Sequence, residues 1–133
     1  MLNIVEILQV TDLKNNTLRE RAERGHCARS KEFVAYQDGE EVGLLSYEKW
    51  SNKVPGFVYE IFVLAPFRRQ GVGGSLLSYA EDYAFRLGCN SIRLKPYALC
   101  SDFTQNELQD WYIRKGYCQI PGDPEHMTKT LHR

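Results

Sequence analysis

Residues 63–77 read Val63-Leu64-Ala65-Pro66-Phe67-Arg68-Arg69-Gln70-Gly71-Val72-Gly73-Gly74-Ser75-Leu76-Leu77, and the fold is read outward from them. Just before, Val58, Ile61, Phe62, Val63 and Leu64 make a strand-like apolar run, which Ala65-Pro66 ends. A short, basic, glycine-rich turn follows, and a helical pattern starts at once. Such a strand–turn–helix leaves backbone N–H groups unpaired at a helix N-terminus, where the dipole favours anions. The glycines let the backbone approach a ligand closely. The chemistry implied is a pocket for a phosphate-bearing ligand.

Two common phosphate motifs do not fit. A dinucleotide fingerprint requires a third glycine where Leu76 stands and an acid about 20 residues on, and residues 90–95 contain none. A P-loop requires a Gly-Lys pair, which the chain lacks. The whole run instead resembles the acetyl-CoA-binding motif of the GNAT superfamily of N-acetyltransferases. That motif is Val-x-Pro-x-Tyr/Phe-Arg/Gln-x-x-Gly-x-Gly/Ala, leading into a helix. Val63, Phe67, Arg68, Gly71 and Gly73 fall into register. Ala65 occupies the usual proline position and Pro66 comes one residue late, which removes no N–H from the glycine segment.

The resemblance implies roles for named residues. Arg68, Arg69, Gln70, Gly71, Val72, Gly73 and Gly74 would hold the pyrophosphate of acetyl-CoA. Ile61, Phe62 and Val63 would lie beside the pantetheine arm, and a backbone N–H near Ile61 or Phe62 would polarise the acetyl carbonyl. A second motif, Trp111-Tyr112-Ile113-Arg114-Lys115-Gly116-Tyr117, resembles the family's Phe/Leu-Tyr-x-x-x-Gly-Phe. It casts Tyr112 as the general acid for the departing thiolate. A phenol of reference pKa ~10 and a thiol near ~8.5 are matched for that transfer. The family favours Asn at the position of Gln105, so Asn106 is the candidate CoA contact there, and Leu108 replaces the usual Ala. Glu60, beside the presumed thioester, is the candidate general base, with a solvated or salt-bridged strand acid as the alternative. Glu41, Glu48 and Asp110 are weaker candidates. His26, His126 and His132 fall on no family position and read as surface residues.

Size and composition set the frame. The 133 residues suit one domain, 1–133, burying about two-thirds of its unfolded surface. Hydrophobic content of 43% and charged content of 26% are ordinary for a globular protein. Formal net charge is zero, which argues against nucleic-acid or membrane-surface partners. Residues 12–31 are locally basic and read as a solvated helix face. No run is long and apolar enough for a membrane span, and the first residues do not read as a secretory signal. Cys27, Cys89, Cys100 and Cys118 form no C-x-x-C pair, so neither zinc nor a disulfide framework is expected, and a cytoplasmic setting is.

Along the chain, residues 3–10 read as a first strand, and Thr11 or Asp12 as cap of a helix stopped by Gly25. Strands 32–37 and 42–47 flank Asp38-Gly39, a hairpin signal, and Val54 to Leu64 is a third extended run. Residues 73–87 form the clearest helix, on a stripe of Val72, Leu76, Leu77, Ala80, Tyr83, Ala84 and Leu87. Residues 91–95 read as a strand. A helix capped by Ser101 or Thr104 runs to Lys115. Residues 117–120 and 127–131 form a last hairpin across residues 121–124. The fold class is α/β (α+β): a GNAT-type mixed, mostly antiparallel twisted sheet of about six to seven strands, with about three to four helices.

The expected activity is acetyl transfer from acetyl-CoA to a small amine or peptide amine, by direct attack in a ternary complex. No cysteine falls in the motif region, so no acetyl-enzyme is expected, and no metal. Two alternatives stand beside it: a toxin-like acetyltransferase acting on aminoacyl-tRNA, and a CoA-binding module without turnover. Tyr47, Trp50, Phe57 and Tyr97 are aromatic candidates for the acceptor site or the core. The resemblance also allows a homodimer.

Overall fold

The computed structural model describes residues 2–49, 55–96 and 104–131. Trp50, Val54, Tyr97, Cys100, Ser101 and His132 lie outside them. The elements are β1 (Leu2–Ile7), α1 (Asn16–Gly25), β2 (Ser30–Gln37), β3 (Glu40–Glu48), β4 (Gly56–Val63), α2 (Val72–Arg86), β5 (Ser91–Leu94), α3 (Gln105–Arg114), β6 (Cys118–Ile120) and β7 (Asp123–Thr130). Short 3-10 turns cover Val10–Asp12 and Ala65–Phe67. One seven-stranded sheet runs β1-β2-β3-β4-β5-β7-β6. Every neighbouring pair is antiparallel except β4 with β5. This is the expected mixed, mostly antiparallel sheet.

Several boundaries differ from the sequence reading by one or two residues, and three differ for a local reason. The first strand ends at Ile7, because the chain then tightens into the 3-10 turn, where the Gln9 N–H donates to Asp12 Oδ2 at 3.1 Å. Asp12 is thereby used, and α1 is capped by Asn15, whose side chain accepts from the Leu18 N–H at 3.1 Å. Glu41 anchors that entry by accepting the N–H of Asn15 at 2.7 Å. At the other end, β7 starts at Asp123, not Met127, since Pro121-Gly122 alone makes the turn.

The sheet has an apolar layer on each face. Leu18 and Ala22 of α1 pack with Leu13, Val34, Leu44 and Phe62 on one face. Val72, Leu76, Leu77, Ala80 and Ala84 of α2 pack with Phe33, Leu45, Tyr47, Val58 and Ile92 on the other. Leu18, Leu44, Leu45 and Leu76 are wholly buried, and each contributes roughly 2 kcal/mol by area. Thr104 caps α3 in a reciprocal box with Glu107, at 3.1 and 2.9 Å.

One feature of the sheet positions the site. β4 and β5 pair only from Gly56–Val58 to Ile92–Leu94, after which β4 runs on to Val63 with β3 alone beside it. The register of β3 against β4 also slips, so that Ser46 opposes Glu60 while Tyr47 opposes Val58. Tyr59 is the extra residue of this bulge. It returns Ile61 and Val63 to the α2 face, with Val58, and turns Glu60 and Phe62 to the α1 face.

Candidate active site

The glycine turn is built to present amides. Gly71 caps α2 in the left-handed region, φ 86°, which favours glycine. Arg69, with φ 63°, is also left-handed, a conformation that costs a residue with a Cβ about 1–2 kcal/mol. Gln70 braces the turn by donating Nε2–H to Pro66 O at 3.1 Å. The first bond of α2 joins the Ser75 N–H to Gly71 O at 3.0 Å. The N–H groups of Gly71, Val72, Gly73 and Gly74 therefore precede the helical ladder and point out of the positive end of the helix.

The β4 edge supplies the second wall. The Leu64 N–H donates to Val42 O at 2.9 Å, on the β3 side. Backbone groups alternate sides along a strand. Phe62 therefore faces its N–H and C=O toward β3, and Ile61 and Val63 face theirs toward the side from which β5 has parted. Val63 O bears this out by accepting Arg68 Nε–H at 2.8 Å.

A cleft of about 430 Å³ joins this edge, the turn Arg68–Gly74, the end of β5 at Leu94 and Lys95, and α3. Tyr112 lies in the last turn of α3, 7% exposed, and lines the cleft. Its ring is held edge-on by Trp111 at 5.0 Å and Tyr117 at 5.7 Å. Tyr117 is fixed in turn by donating its hydroxyl to Glu81 at 2.9 Å. Burial and the Glu81 carboxylate push the Tyr117 phenol far up, so it stays protonated.

Glu60 also lines the cleft and is 4% exposed. Arg21 of α1 donates Nη1–H to its Oε2 at 3.2 Å, while Oε1 is buried with no hydrogen-bond partner. Burial raises its pKa above the ordinary glutamate value, and the guanidiniums of Arg21 and Arg24 pull it back in part. A carboxyl poised this way can take a proton more readily than a solvated one.

The other expected residues are placed as follows. Gly71, Gly73, Gly74, Ile61, Phe62, Val63, Arg68 and Arg69 line the cleft. The Val72 side chain is core, so only its backbone faces the turn. Arg68 stacks 5.4 Å from the Phe62 ring centroid as it holds Val63 O. Gln70 is exposed on the outside of the turn. Asn106 is exposed on the first turn of α3, outside the cleft lining. Its neighbour Gln105 donates to Pro96 O at 2.6 Å. Among the weaker base candidates, Asp110 lines the cleft, and Glu41 is committed to the α1 entry.

A family model described as the acetyltransferase (GNAT) family matches residues 2–117. The chain belongs to the GNAT acetyltransferase family. It is 30% identical over 91 residues to the aminoalkylphosphonate N-acetyltransferase of Salmonella typhimurium, a match covering 65% of this chain and 55% of that protein. The GNAT chain thus spans about half the length of that relative. Among solved structures, the IAA acetyltransferase of Bacillus cereus has a TM-score of 0.75 at 15% identity, covering 98% of this chain and 100% of that one. The PaiA N-acetyltransferase of Thermoplasma acidophilum, in complex with coenzyme A, has a TM-score of 0.69 at 13% identity, covering 98% and 99%. These two likenesses establish the GNAT fold.

Two GNAT residues at the site were not picked out from sequence. Arg21 sat in a segment read as solvated, yet its place beside Ala22 borders the buried stripe of α1. Lys115 brings Nζ to 3.3 Å from where a Cβ on Gly74 would lie, adding a positive charge at the mouth of α2. Its signal was the i+4 spacing from Trp111, whose ring it approaches at 5.4 Å from the centroid.

Proposed function

We propose that this chain transfers an acetyl group from acetyl-CoA to a primary amine, by direct attack within a ternary complex. The observation that carries the reading is the continuity of one cleft from the amides of the glycine turn, along the open β4 edge, to Tyr112 and Glu60. The diphosphate would lie on the N–H groups of Gly71–Gly74, with Lys115 and Arg69 adding charge. The pantetheine arm would extend β4 as a strand does, and the Ile61 N–H would polarise the acetyl carbonyl.

Glu60 would take a proton from the acceptor ammonium. The amine nitrogen would then form its bond to the carbonyl carbon, the carbon–sulfur bond would break, Tyr112 would protonate the thiolate, and the surplus proton on the new amide nitrogen would return to the Tyr112 phenolate. Holding both reactants in one cleft supplies much of the acceleration in such a reaction. Aminoalkylphosphonates head the list of acceptors to try, on the likeness to the Salmonella typhimurium protein.

The test is thiol release from acetyl-CoA with a panel of aminoalkylphosphonates, polyamines, aminoglycosides, amino acids and peptides. Release that depends on one class of amine supports the reading. Tight acetyl-CoA binding with no release across the panel would mean a binding module instead.

A further inference from the structure

The α1 side of the sheet carries a polar row of which the proposed chemistry uses only one end. Glu32 of β2 opposes Ser46 of β3, and Ser46 opposes Glu60 of β4. The adjacent row, Val34–Leu44–Phe62, is the apolar bed of α1. Residues two apart on a strand share a face, so the polar row lies under α1 as well. Glu32, Ser46 and Glu60 are 4%, 0% and 4% exposed. Each buries one oxygen that has no hydrogen-bond partner: Glu32 Oε2, Ser46 Oγ and Glu60 Oε1. Buried polar atoms are nearly always paired, so three exceptions in one row call for a cause.

The two carboxylates hold different partners. Glu60 Oε2 accepts from Arg21, and Glu32 Oε1 lies 2.9 Å from His26 Nδ1. The His26 side chain is 52% exposed, whereas that of Glu60 is 1% exposed. The row therefore leads from the cleft to the protein surface. Gly25 closes it from above: a Cβ there would stand 3.2 Å from Ser46 Oγ and 2.8 Å from the Tyr59 ring. No acceptor fits along a row covered so closely, but a proton needs no room.

A proton has to leave in every turnover. An acceptor ammonium and acetyl-CoA give an amide, the CoA thiol and one free proton. With both substrates bound, the cleft side of Glu60 would be covered. We propose that Glu60, Ser46, Glu32 and His26 form a proton exit from the catalytic carboxylate to solvent; this rests on Glu60 being the base. Glu60 Oε1 takes the ammonium proton. Ser46 Oγ accepts it and donates its own proton to Glu32 Oε2. Protonated Glu32, its carboxyl rotated, gives the proton to the bare Nε2 of His26 as the exposed ring flips, and the imidazolium, turned back with Nδ1–H on Glu32, releases the Nε2 proton to water. Each group returns to its starting charge. The links form transiently by side-chain rotation, because the three free oxygens are unbonded at rest. Arg21 and Arg24 face the row from α1 and Tyr59 flanks it on β4. Arg21 occupies Oε2 and so leaves Oε1 as the proton-accepting atom.

The test measures kcat with the amine of the panel above that turns over fastest, in dilute non-imidazole buffer and then with added imidazole. Ser46→Ala, Glu32→Gln and His26→Ala are each expected to lower kcat about tenfold, less than the 10²-fold or more typical of losing a general base. The KM for acetyl-CoA should hold, and Ser46→Ala should melt no lower than wild type, since it deletes an unpaired hydroxyl. Imidazole should restore His26→Ala but not Ser46→Ala. Wild-type turnover by Ser46→Ala and His26→Ala, with Glu60→Gln inactive, overturns the exit and leaves the base in place. A His26→Ala defect that imidazole does not relieve also overturns the exit. Full activity of Glu60→Gln, or no turnover of any panel amine, removes the base reading and the exit with it.

Discussion

Gly73 separates binding from folding more cleanly than any other position in the turn. A Cβ there would meet Trp111 and Val63 at 3.8 Å, an ordinary contact, and Gly73 is not among the left-handed glycines. Gly73→Ala should therefore fold normally, with a gain of up to about 1 kcal/mol from helix propensity. Gly73→Asp places a carboxylate in the first turn of α2, where the dipole favours it by roughly 0.3–1 kcal/mol. Binding should move the opposite way. A carboxylate about 4 Å from one phosphate charge costs about 4 kcal/mol at an effective dielectric constant near 20. Half of that, after salt screening and side-chain rotation, still weakens binding about 30-fold. Calorimetric titration with acetyl-CoA beside thermal melts reads both quantities. Gly73→Asp should melt at or above wild type and bind at least 30-fold more weakly, with Gly73→Ala within a few-fold of wild type. An Asp variant that melts normally and binds within threefold of wild type would refute the placement of the diphosphate.

Four further outcomes are expected. Tyr112→Phe should lower turnover about 10²-fold and leave acetyl-CoA affinity unchanged, measured by thiol release and calorimetry; unchanged turnover removes it as the acid. The raised pKa of Glu60 should set the acidic limb of the kcat–pH profile above the ordinary glutamate range, and Glu60→Gln should abolish that limb. The same shift means the native state holds its proton longer than the unfolded chain. The Glu60 contribution to stability is thus full below the ordinary value and falls as pH rises through the raised one, a slope in Tm that Glu60→Gln should remove. Asn15→Ala should cost about 1 kcal/mol, read as a Tm lower by roughly 4 °C, with acetyl-CoA binding intact.

What could be read from sequence was what is local. The turn 68–74 and the Tyr112 motif are contiguous, and their chemistry comes from backbone amides and one helix terminus. The hairpin at Asp38-Gly39 was legible for the same reason: both residues are left-handed, with φ of 53° and 84°. The Arg21–Glu60 pair spans 39 positions, and only the approach of α1 to the sheet brings it together. The bulge at Tyr59 has no glycine to mark it, yet it decides which face Glu60 occupies. Asn15 competed with Thr11 and Asp12, all sound caps, and the 3-10 turn decided between them. The polar row under α1 was invisible for a further reason. Glu32, Ser46 and Glu60 come from three strands, and only the register between them reveals the row.

The most direct measurement is the crystal structure of the chain with coenzyme A. Diphosphate oxygens should lie about 2.7–3.2 Å from the backbone nitrogens of Gly71–Gly74, with the pantetheine arm against the Ile61 and Val63 edge of β4 and its sulfur near the Tyr112 hydroxyl. Coenzyme A bound elsewhere, or a diphosphate held away from that turn, would contradict the assignment of this cleft.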